Sequence, residues 1–287
     1  MFWYTSRHRI DLAIPHVMGI VNITPDSFSD GGQFSSARAA ITHCERLVHE
    51  GADILDLGGE SSRPGAQPVS WQDEWQRVQP VLQAALSLGC PVSLDTTKPQ
   101  LMQRALGLGV DIVNDIHALQ SRGAEAAVAA HPACGICLMH MQGRPPHMQA
   151  APGYADVVQE VGDFLAQRVD ALAHLGVDRQ RMVIDPGIGF GKTPQHNLEL
   201  LRRQSELLVL GRPLLVGWSR KSVLGAVTGK PTDDRLAPSV AAALASVQRG
   251  AHIVRVHDVA ATVDALKFWR AAGLGDQRQF AVEENKL

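Results

Sequence analysis

Short apolar runs alternate along the chain with longer segments whose apolar positions recur at the spacing of a helix. The short runs are apolar on both faces, as strands buried in a parallel sheet are. They predict eight strands, at residues 17–23, 53–57, 91–95, 111–115, 135–140, 182–185, 214–219 and 253–258. A helix is predicted after each strand, at residues 37–50, 72–88, 99–109, 124–130, 155–175, 197–210, 237–249 and 260–272.

Eight strand–helix units in a chain of this length predict an α/β fold, a single TIM (β/α)8 barrel. An open doubly wound sheet is the alternative architecture. No linker or change of composition divides residues 1–287, so one domain is expected. Residues 1–15 precede the first strand and are expected to form a hairpin-like extension across the barrel floor, and residues 275–287 are expected to be a tail.

Charge and composition narrow the range of partners. Hydrophobic residues make up 45% of the chain and charged residues 20%, which is ordinary for a globular protein with a buried core. The formal net charge is −2 and no long run of Lys or Arg occurs, so no nucleic-acid partner is expected. Neither a signal peptide nor a membrane-spanning segment is predicted, and a cytoplasmic location is expected.

The four cysteines are Cys44, Cys90, Cys134 and Cys137. The last two have the spacing of a redox pair or of half a zinc site. They lead into a predicted strand, whereas a redox pair usually opens a helix, and no second pair completes a zinc site. We therefore expect reduced, structural cysteines.

Polar residues stand at the carboxyl ends of nearly all the predicted strands, where the active site of such a barrel lies. A single one often only caps the next helix. A whole set is costly to bury without partners, so it indicates one shared site. The set comprises Asn22, Glu60, Arg63, Asp95, Asn114, Asp115, His140, Asp185, Ser219, Lys221, Ser222, Arg255 and His257.

The chemistry of these side chains indicates two kinds of ligand group. The oxygens of Asp95, Asn114 and Asp185 suit a flat heterocycle that carries N–H donors. The neutral oxygen of Asn22 suits Mg²⁺ held mostly by water and by ligand phosphates. Positive charge for a phosphorylated ligand would come from Arg63, Lys221, Arg255 and His257.

Two kinds of loop bear on the site. Residues 185–193 look like a Walker A loop, but Pro186 occupies the position of its first glycine, so that match fails. We interpret the glycines there as allowing the backbone to pass close to a bound ring. The loops 24–36 and 58–70 exceed the usual length of such connections and are predicted lids, with surface decoration as the alternative.

Eight segments, in order from the first strand to the last, resemble the motifs of dihydropteroate synthases. They are residues 18–32, 51–65, 93–99, 114–116, 138–143, 185–192, 217–222 and 255–258. The resemblance implies an enzyme of folate synthesis that joins (7,8-dihydropterin-6-yl)methyl diphosphate to 4-aminobenzoate and releases diphosphate. It also implies a sulfonamide target, a bound Mg²⁺ and a homodimer.

The resemblance implies a role for each matching residue. The pterin would be held by Asp95, Asn114, Asp185 and Lys221, and the diphosphate by Arg63, Arg255 and His257, with Ser62 beside them. Phe28, Pro64, Phe190 and Lys221 would wall the aminobenzoate, Ser222 would meet its carboxylate and Asn22 would bind Mg²⁺. Asp95, Lys221 and Arg63 would be catalytic. Ser62 departs from the threonine more usual in the family, although it keeps the hydroxyl.

Three alternatives stay open. A pterin-binding methyltransferase domain would share the barrel and the Asp/Asn set, but would not need the motif at 22–28 or the Arg63, Arg255 and His257 cluster. A catalytically silent pterin-binding paralogue is disfavoured by the intact candidate residues. A phosphate-binding isomerase barrel would need a carboxylate base beside a phosphate loop, which is not evident.

Overall fold

The computed structural model describes residues 1–24, 32–61, 65–143 and 147–274, with the backbone alone for 32–35. The strands are β1 (Phe2–Tyr4), β2 (Arg9–Asp11), β3 (His16–Asn22), β4 (Ile54–Gly58), β5 (Val92–Asp95), β6 (Ile112–Asp115), β7 (Gly135–Met139), β8 (Met182–Asp185), β9 (Leu215–Val216) and β10 (Ile253–Val256). The helices are α1 (Gly32–His49), α2 (Trp71–Ala85), α3 (Pro99–Leu108), α4 (Ala124–Ala129), α5 (Val157–His174), α6 (Pro194–Arg202), α7 (Ser222–Thr228), α8 (Leu236–Gln248) and α9 (Val259–Ala271).

The strands β3 to β10 form one parallel sheet in which neighbours in the chain pair, except β8 with β9, and β10 also pairs with β3. A parallel bridge between Ile184 and Leu214 joins β8 to the residue before β9. The amide of Ile184 also donates to the carbonyl of Pro213 at 3.0 Å. These contacts complete the circle, so the TIM barrel is confirmed and the open sheet is excluded.

The expected hairpin across the barrel floor is confirmed, because β1 and β2 pair antiparallel. Trp3 of β1 is fully buried, and its indole Nε1 donates to the carbonyl of Arg181 at 2.9 Å. The guanidinium of Arg7 binds the carboxylate of Asp111 at 2.6 Å and ties the hairpin to the strand end above it. Trp3 packs in a floor cluster with Ile10, Leu12, Met18, Ile54, Ile112, Cys137, Val183, Leu215 and Ile253.

A polar layer lies directly above the floor cluster inside the barrel. Successive side chains of a strand alternate between its two faces, so a residue two positions beyond a floor residue also points inward. On four strands that residue is polar. These four residues, Asp56, Asn114, Asp185 and Arg255, form the polar layer, each two positions after Ile54, Ile112, Val183 or Ile253. The apolar floor therefore supports the layer that carries the chemistry.

The structure differs from the prediction at three elements. The seventh strand is limited to two residues, because Lys221 N donates to Trp218 O and the backbone turns there. The short helix α7, which ends at Thr228 and is capped by Gly229, was not predicted. The sixth helix ends at Arg202 and continues as a 3-10 segment, Gln204–Leu210. The buried side chain of Gln204 donates to Ser246 O at 2.8 Å, which ties this segment to α8.

The burial of the cysteines agrees with the structural role predicted for them. All four cysteine side chains are buried and free, and Cys137 belongs to the floor cluster. Among the helices that the structure describes, none combines the length and the apolar character that a membrane span requires.

Candidate active site

A cluster of ion pairs and hydrogen bonds links four strands across the mouth of the barrel. The guanidinium of Arg255 donates from Nε to Asp56 Oδ2 at 2.6 Å and from Nη2 to Asp95 Oδ2 at 2.9 Å. The amide of Asn114 donates to the same Asp56 Oδ2 at 3.1 Å. Because β4, β6 and β10 are not neighbours in the sheet, these contacts can only form through the interior. The structure thus brings Asp95, Asn114 and Arg255 together.

The sequence prediction missed Asp56. Its side chain is fully buried at the centre of this cluster. It lies in the middle of β4 and not at the strand end, where we looked for functional residues. The available signal was a charged residue within an otherwise apolar run, two positions after the inward-facing Ile54.

The placement of Arg255 refines its predicted role. Its guanidinium lies between two carboxylates at the depth of the polar layer, and not apart from them at the rim. Two acceptors orient the guanidinium plane, which still leaves other N–H groups for a ligand. Its contact with a diphosphate stays a prediction.

Burial changes the protonation of the acceptor carboxylates. It raises the pKa of Asp95 to about 7, although the charge of Arg255 opposes the change. Burial likewise raises the pKa of Asp185 to about 6, against the hydrogen bond from Gly187 N and the charge of Lys221. Both groups therefore titrate close to neutral pH, as groups at functional sites often do.

Lys221 and Phe190 lie together beside this cluster. The ammonium of Lys221 is 4.0 Å from the centroid of the Phe190 ring, within the range of a cation–π contact. Burial lowers the pKa of Lys221 to about 8, with the charge of Arg255 as a second cause. Ser222 follows as the exposed first residue of α7.

The turn that presents Lys221 is held from outside the barrel. Arg220 adopts a left-handed backbone conformation, with φ of 58°. Its side chain binds Asp258 at 2.6 Å, and its carbonyl accepts a hydrogen bond from Arg235 at 3.1 Å. These contacts offset the backbone strain and fix the direction of the following lysine.

His257 is positioned by Ser219. The hydroxyl oxygen of Ser219 accepts from the backbone N–H of His257 at 3.1 Å and lies 2.9 Å from Nδ1 of the same ring. If the hydroxyl proton donates to Nδ1, the ring proton lies on Nε2, because the direction of this bond depends on the tautomer of the ring. Burial and the charge of Arg255 lower the pKa of His257 to about 3. The lowered pKa favours a neutral ring with one N–H donor, whereas positive charge was expected of His257 from the sequence, and its contact with a diphosphate stays a prediction.

The glycines of residues 185–193 serve a neighbouring loop. A Cβ at Gly187 would overlap the carbonyl oxygen of His140, and one at Gly191 would overlap that of Gln142. Both glycines have positive φ, which other residues rarely adopt. At Gly187 and Gly191 the close approach that requires glycine is therefore to the chain after β7, and an approach to a bound ring stays a prediction.

Lys192 is the buried centre of the same region. Its ammonium donates to His140 Nδ1 at 2.9 Å and to the carbonyls of Gly187 and Phe190 at 3.0 Å each. His140 packs edge-on against Phe164, with ring centroids 5.0 Å apart. These contacts account for His140 through hydrogen bonding and packing, although it was predicted from the sequence among the polar residues of the shared site.

The remaining predicted residues divide into two groups. Phe28, Ser62, Arg63 and Pro64 lie outside the described residues. Asn22 ends β3 and is half-buried at the mouth. Asp115, a candidate at a strand end, turns away from the site, because its carboxylate accepts from the amides of His117 and Leu119.

A buried ion-pair cluster supports the chain that follows β4. The ammonium of Lys98 binds Glu60 at 2.9 Å and also binds the fully buried Glu74. Glu60 in turn accepts from Val69 N at 2.7 Å, across the base of the loop 58–70. One lysine thus joins α2, α3 and the second predicted lid.

The comparisons with known proteins agree with this geometry. The family model described as pterin binding enzyme matches residues 18–257. A dihydropteroate synthase of Neisseria meningitidis serogroup C is 53% identical over 95% of the chain and 98% of its own length. The chain belongs to the dihydropteroate synthase family. A member from Escherichia coli strain K12 is 45% identical, over 90% of the chain and 92% of that relative.

Solved structures of dihydropteroate synthases have the same fold. The enzyme of Xanthomonas albilineans with 4-aminobenzoic acid has a TM-score of 0.89 at 46% identity, over 95% of the chain and 99% of its own. That of Burkholderia cenocepacia complexed with 7,8-dihydropteroate has a TM-score of 0.87 at 46% identity, over 96% and 98%. The family resemblance of the motifs is therefore confirmed, and the methyltransferase alternative loses its support.

Proposed function

We propose that the chain joins (7,8-dihydropterin-6-yl)methyl diphosphate to 4-aminobenzoate, forming 7,8-dihydropteroate and diphosphate as a transferase of folate biosynthesis. The observation that carries this proposal is the polar layer with its ion-paired mouth, in which acceptor oxygens lie beside the Arg255 guanidinium over an apolar floor. A donor-bearing ring fits the acceptors, and a diphosphate fits the cations.

The pterin would lie at the depth of the polar layer. Asp95, Asn114 and Asp185 would accept hydrogen bonds from its N–H groups. Lys221, adjacent to the charge of Asp185, would donate to an acceptor atom of the ring. The low polarity of this buried site strengthens each of these interactions relative to water.

Catalysis would depend on charge stabilisation at the methylene carbon of the pterin. Departure of diphosphate leaves positive charge delocalised on the ring, which the carboxylate of Asp95 would stabilise. Arg255 would neutralise the leaving group while its bond to Asp95 holds that carboxylate in place. His257 would donate from Nε2 to an oxygen of the same leaving group.

Mg²⁺ is part of this proposal. Asn22 would supply one neutral oxygen, and the donor set fits an ion that keeps most of its water and phosphate ligands. Among the described residues no group of three His, Cys, Asp or Glu could form a cage for a metal. When bound, Mg²⁺ would reduce the negative charge on the diphosphate.

The aminobenzoate would lie against Lys221 and Phe190. The cation–π pair offers a flat apolar face beside a positive charge, which suits an aromatic carboxylate. Exposed Ser222 would meet the carboxylate at the start of α7.

The experiment measures diphosphate release from the pterin substrate, with and without 4-aminobenzoate and Mg²⁺. We expect release that requires both and is matched mole for mole by dihydropteroate. Absence of release under every condition overturns the proposal. Pterin binding by calorimetry without any release would identify the silent paralogue.

A homodimer is proposed through the outer face of the last three helices. Val227, Leu236 and Phe268 are exposed on α7, α8 and α9, and α8 packs against both of the others. An exposed apolar patch of this kind marks an interface. Light scattering should give twice the mass of one chain for the wild type and the mass of one chain for Phe268→Glu. A monomeric wild-type chain contradicts the proposal.

The cytoplasmic location stays a prediction.

A further inference from the structure

Asp56 is the most deeply buried member of the cluster. Its side chain has no exposed area, and Oδ2 accepts from both Asn114 Nδ2 and Arg255 Nε, at 3.1 and 2.6 Å. Its other oxygen, Oδ1, has no hydrogen-bond partner among the described residues. A buried carboxylate costs free energy unless its contacts serve a purpose or offset the loss of water.

The contact with Asn114 fixes which end of that amide meets a ligand. An ionised carboxylate can only accept hydrogen bonds, so it selects the NH₂ end of the amide. The carbonyl oxygen of Asn114 must then face the opposite way, into the mouth. Without Asp56, the two ends of the amide would have nearly the same shape, and the choice between donor and acceptor would be lost.

The contact with Arg255 fixes a second side chain. Nε and Nη2 bind Asp56 and Asp95 on two sides of one planar group, which sets both its depth and its plane. A single carboxylate would leave the guanidinium free to rotate. Asp56 therefore determines the orientation of two side chains that the proposed reaction uses, from within the same polar layer.

We propose that Asp56 is a positioning residue that makes the polar layer selective for a donor-bearing ring, by holding the Asn114 carbonyl toward the ligand and Arg255 in its plane. The inference rests on the proposed function and specifies the selectivity of the same site. It assigns Asp56 no part in the chemical step.

The test compares Asp56→Asn with Asp56→Leu. Both natural contacts meet one oxygen, so the amide oxygen of an asparagine can keep them, whereas leucine fills the space and keeps neither. Ser93→Ala is the matched control, because Ser93 pairs with Asp56 in register, is equally buried and has a side chain without a hydrogen-bond partner in the described part of the chain. Thermal unfolding of all three variants shows whether the barrel is intact.

The readouts are binding of pterin by calorimetry, binding of lumazine, which replaces the 2-amino donor with an oxygen acceptor, and the KM of each substrate. In Asp56→Leu we expect pterin affinity to fall about tenfold to hundredfold, the loss typical of charge-assisted hydrogen bonds. The preference for pterin over lumazine should fall at least tenfold, and the KM for 4-aminobenzoate should stay within twofold. Asp56→Asn should recover most of the pterin affinity.

An unchanged pterin-to-lumazine preference in a folded Asp56→Leu variant overturns the inference. Equal losses in Asp56→Asn and Asp56→Leu overturn it as well, because charge and not orientation would then matter. The binding readouts do not depend on turnover. A wild-type chain that binds pterin selectively but releases no diphosphate would therefore refute the proposed function and leave this inference intact.

Discussion

The ammonium of Lys192 donates a hydrogen bond to Nδ1 of His140 at 2.9 Å, in the interior where β7 and β8 end. The ring is neutral, because burial and the charge of Lys192 lower the pKa of His140 to about 3. Through the carbonyls of Gly187 and Phe190, the same ammonium holds the loop that follows Asp185. The loop and the strand beside it therefore depend on one buried lysine, whose own pKa is lowered to about 7 by burial.

Replacing Lys192 by methionine should loosen this loop. The carbonyls of Gly187 and Phe190 would stay buried without a donor, which we expect to cost about 3 kcal/mol in the free energy of unfolding. The KM for 4-aminobenzoate should rise, because Phe190 belongs to the loop. Urea unfolding and steady-state kinetics measure the two effects. Wild-type values for both would contradict the support role, and Lys230→Met serves as the surface control.

Asp95→Asn should separate binding from chemistry. Asparagine keeps an acceptor oxygen for the pterin but loses the negative charge that would stabilise the developing cation. We expect pterin affinity to change little and turnover to fall by about two orders of magnitude or more. Calorimetry and single-turnover kinetics provide the measurements. Turnover close to that of the wild type would exclude the charge-stabilising role.

The activity should show a narrow optimum in pH. Asp95 and Asp185 have raised pKa values of about 7 and about 6, so both lose negative charge as the pH falls through that range. Lys221, with a pKa lowered to about 8, loses positive charge as the pH rises above it. The value of kcat/KM should therefore be highest between about pH 7 and 8, and the acidic limb belongs to the two carboxylates jointly.

Variants assign the two limbs of that profile. Lys221→Arg should move the alkaline limb upward, because a guanidinium stays charged. Asp95→Asn should move the acidic limb toward the pKa of Asp185. A profile that is flat from pH 6 to 9 in the wild type would show that these groups do not titrate in the free enzyme.

The ion pair under the second predicted lid should dominate local stability. Lys98→Met leaves the fully buried Glu74 without its cation, which we expect to cost about 3–5 kcal/mol in the free energy of unfolding. The double variant Lys98→Met with Glu74→Leu should recover most of that loss. Chemical denaturation of both proteins tests the expectation. A single variant as stable as the wild type would contradict it.

Periodicity predicted the eight strands because each is a short run apolar on both faces. The predicted strand ends located Asp95, Asn114 and Asp185, because the carboxyl ends of parallel strands meet at one face of the barrel. Asp56 was missed because its role depends on Asn114 and Arg255, which come from strands distant in the sequence. The neutral state of His257 depends on burial and on a neighbouring guanidinium, and neither is visible along one strand.

The hairpin below the floor cluster leaves the mouth as the route into the barrel interior. Trp3 closes the lower end, so every molecule must pass through the mouth at the carboxyl ends of the strands. If the pterin lies at the polar layer as proposed, the aminobenzoate would cover it. The pterin must then bind first, because it lies deeper. The product, 7,8-dihydropteroate, would occupy the positions of both substrates and leave through the mouth. It would therefore have to dissociate before the next pterin binds.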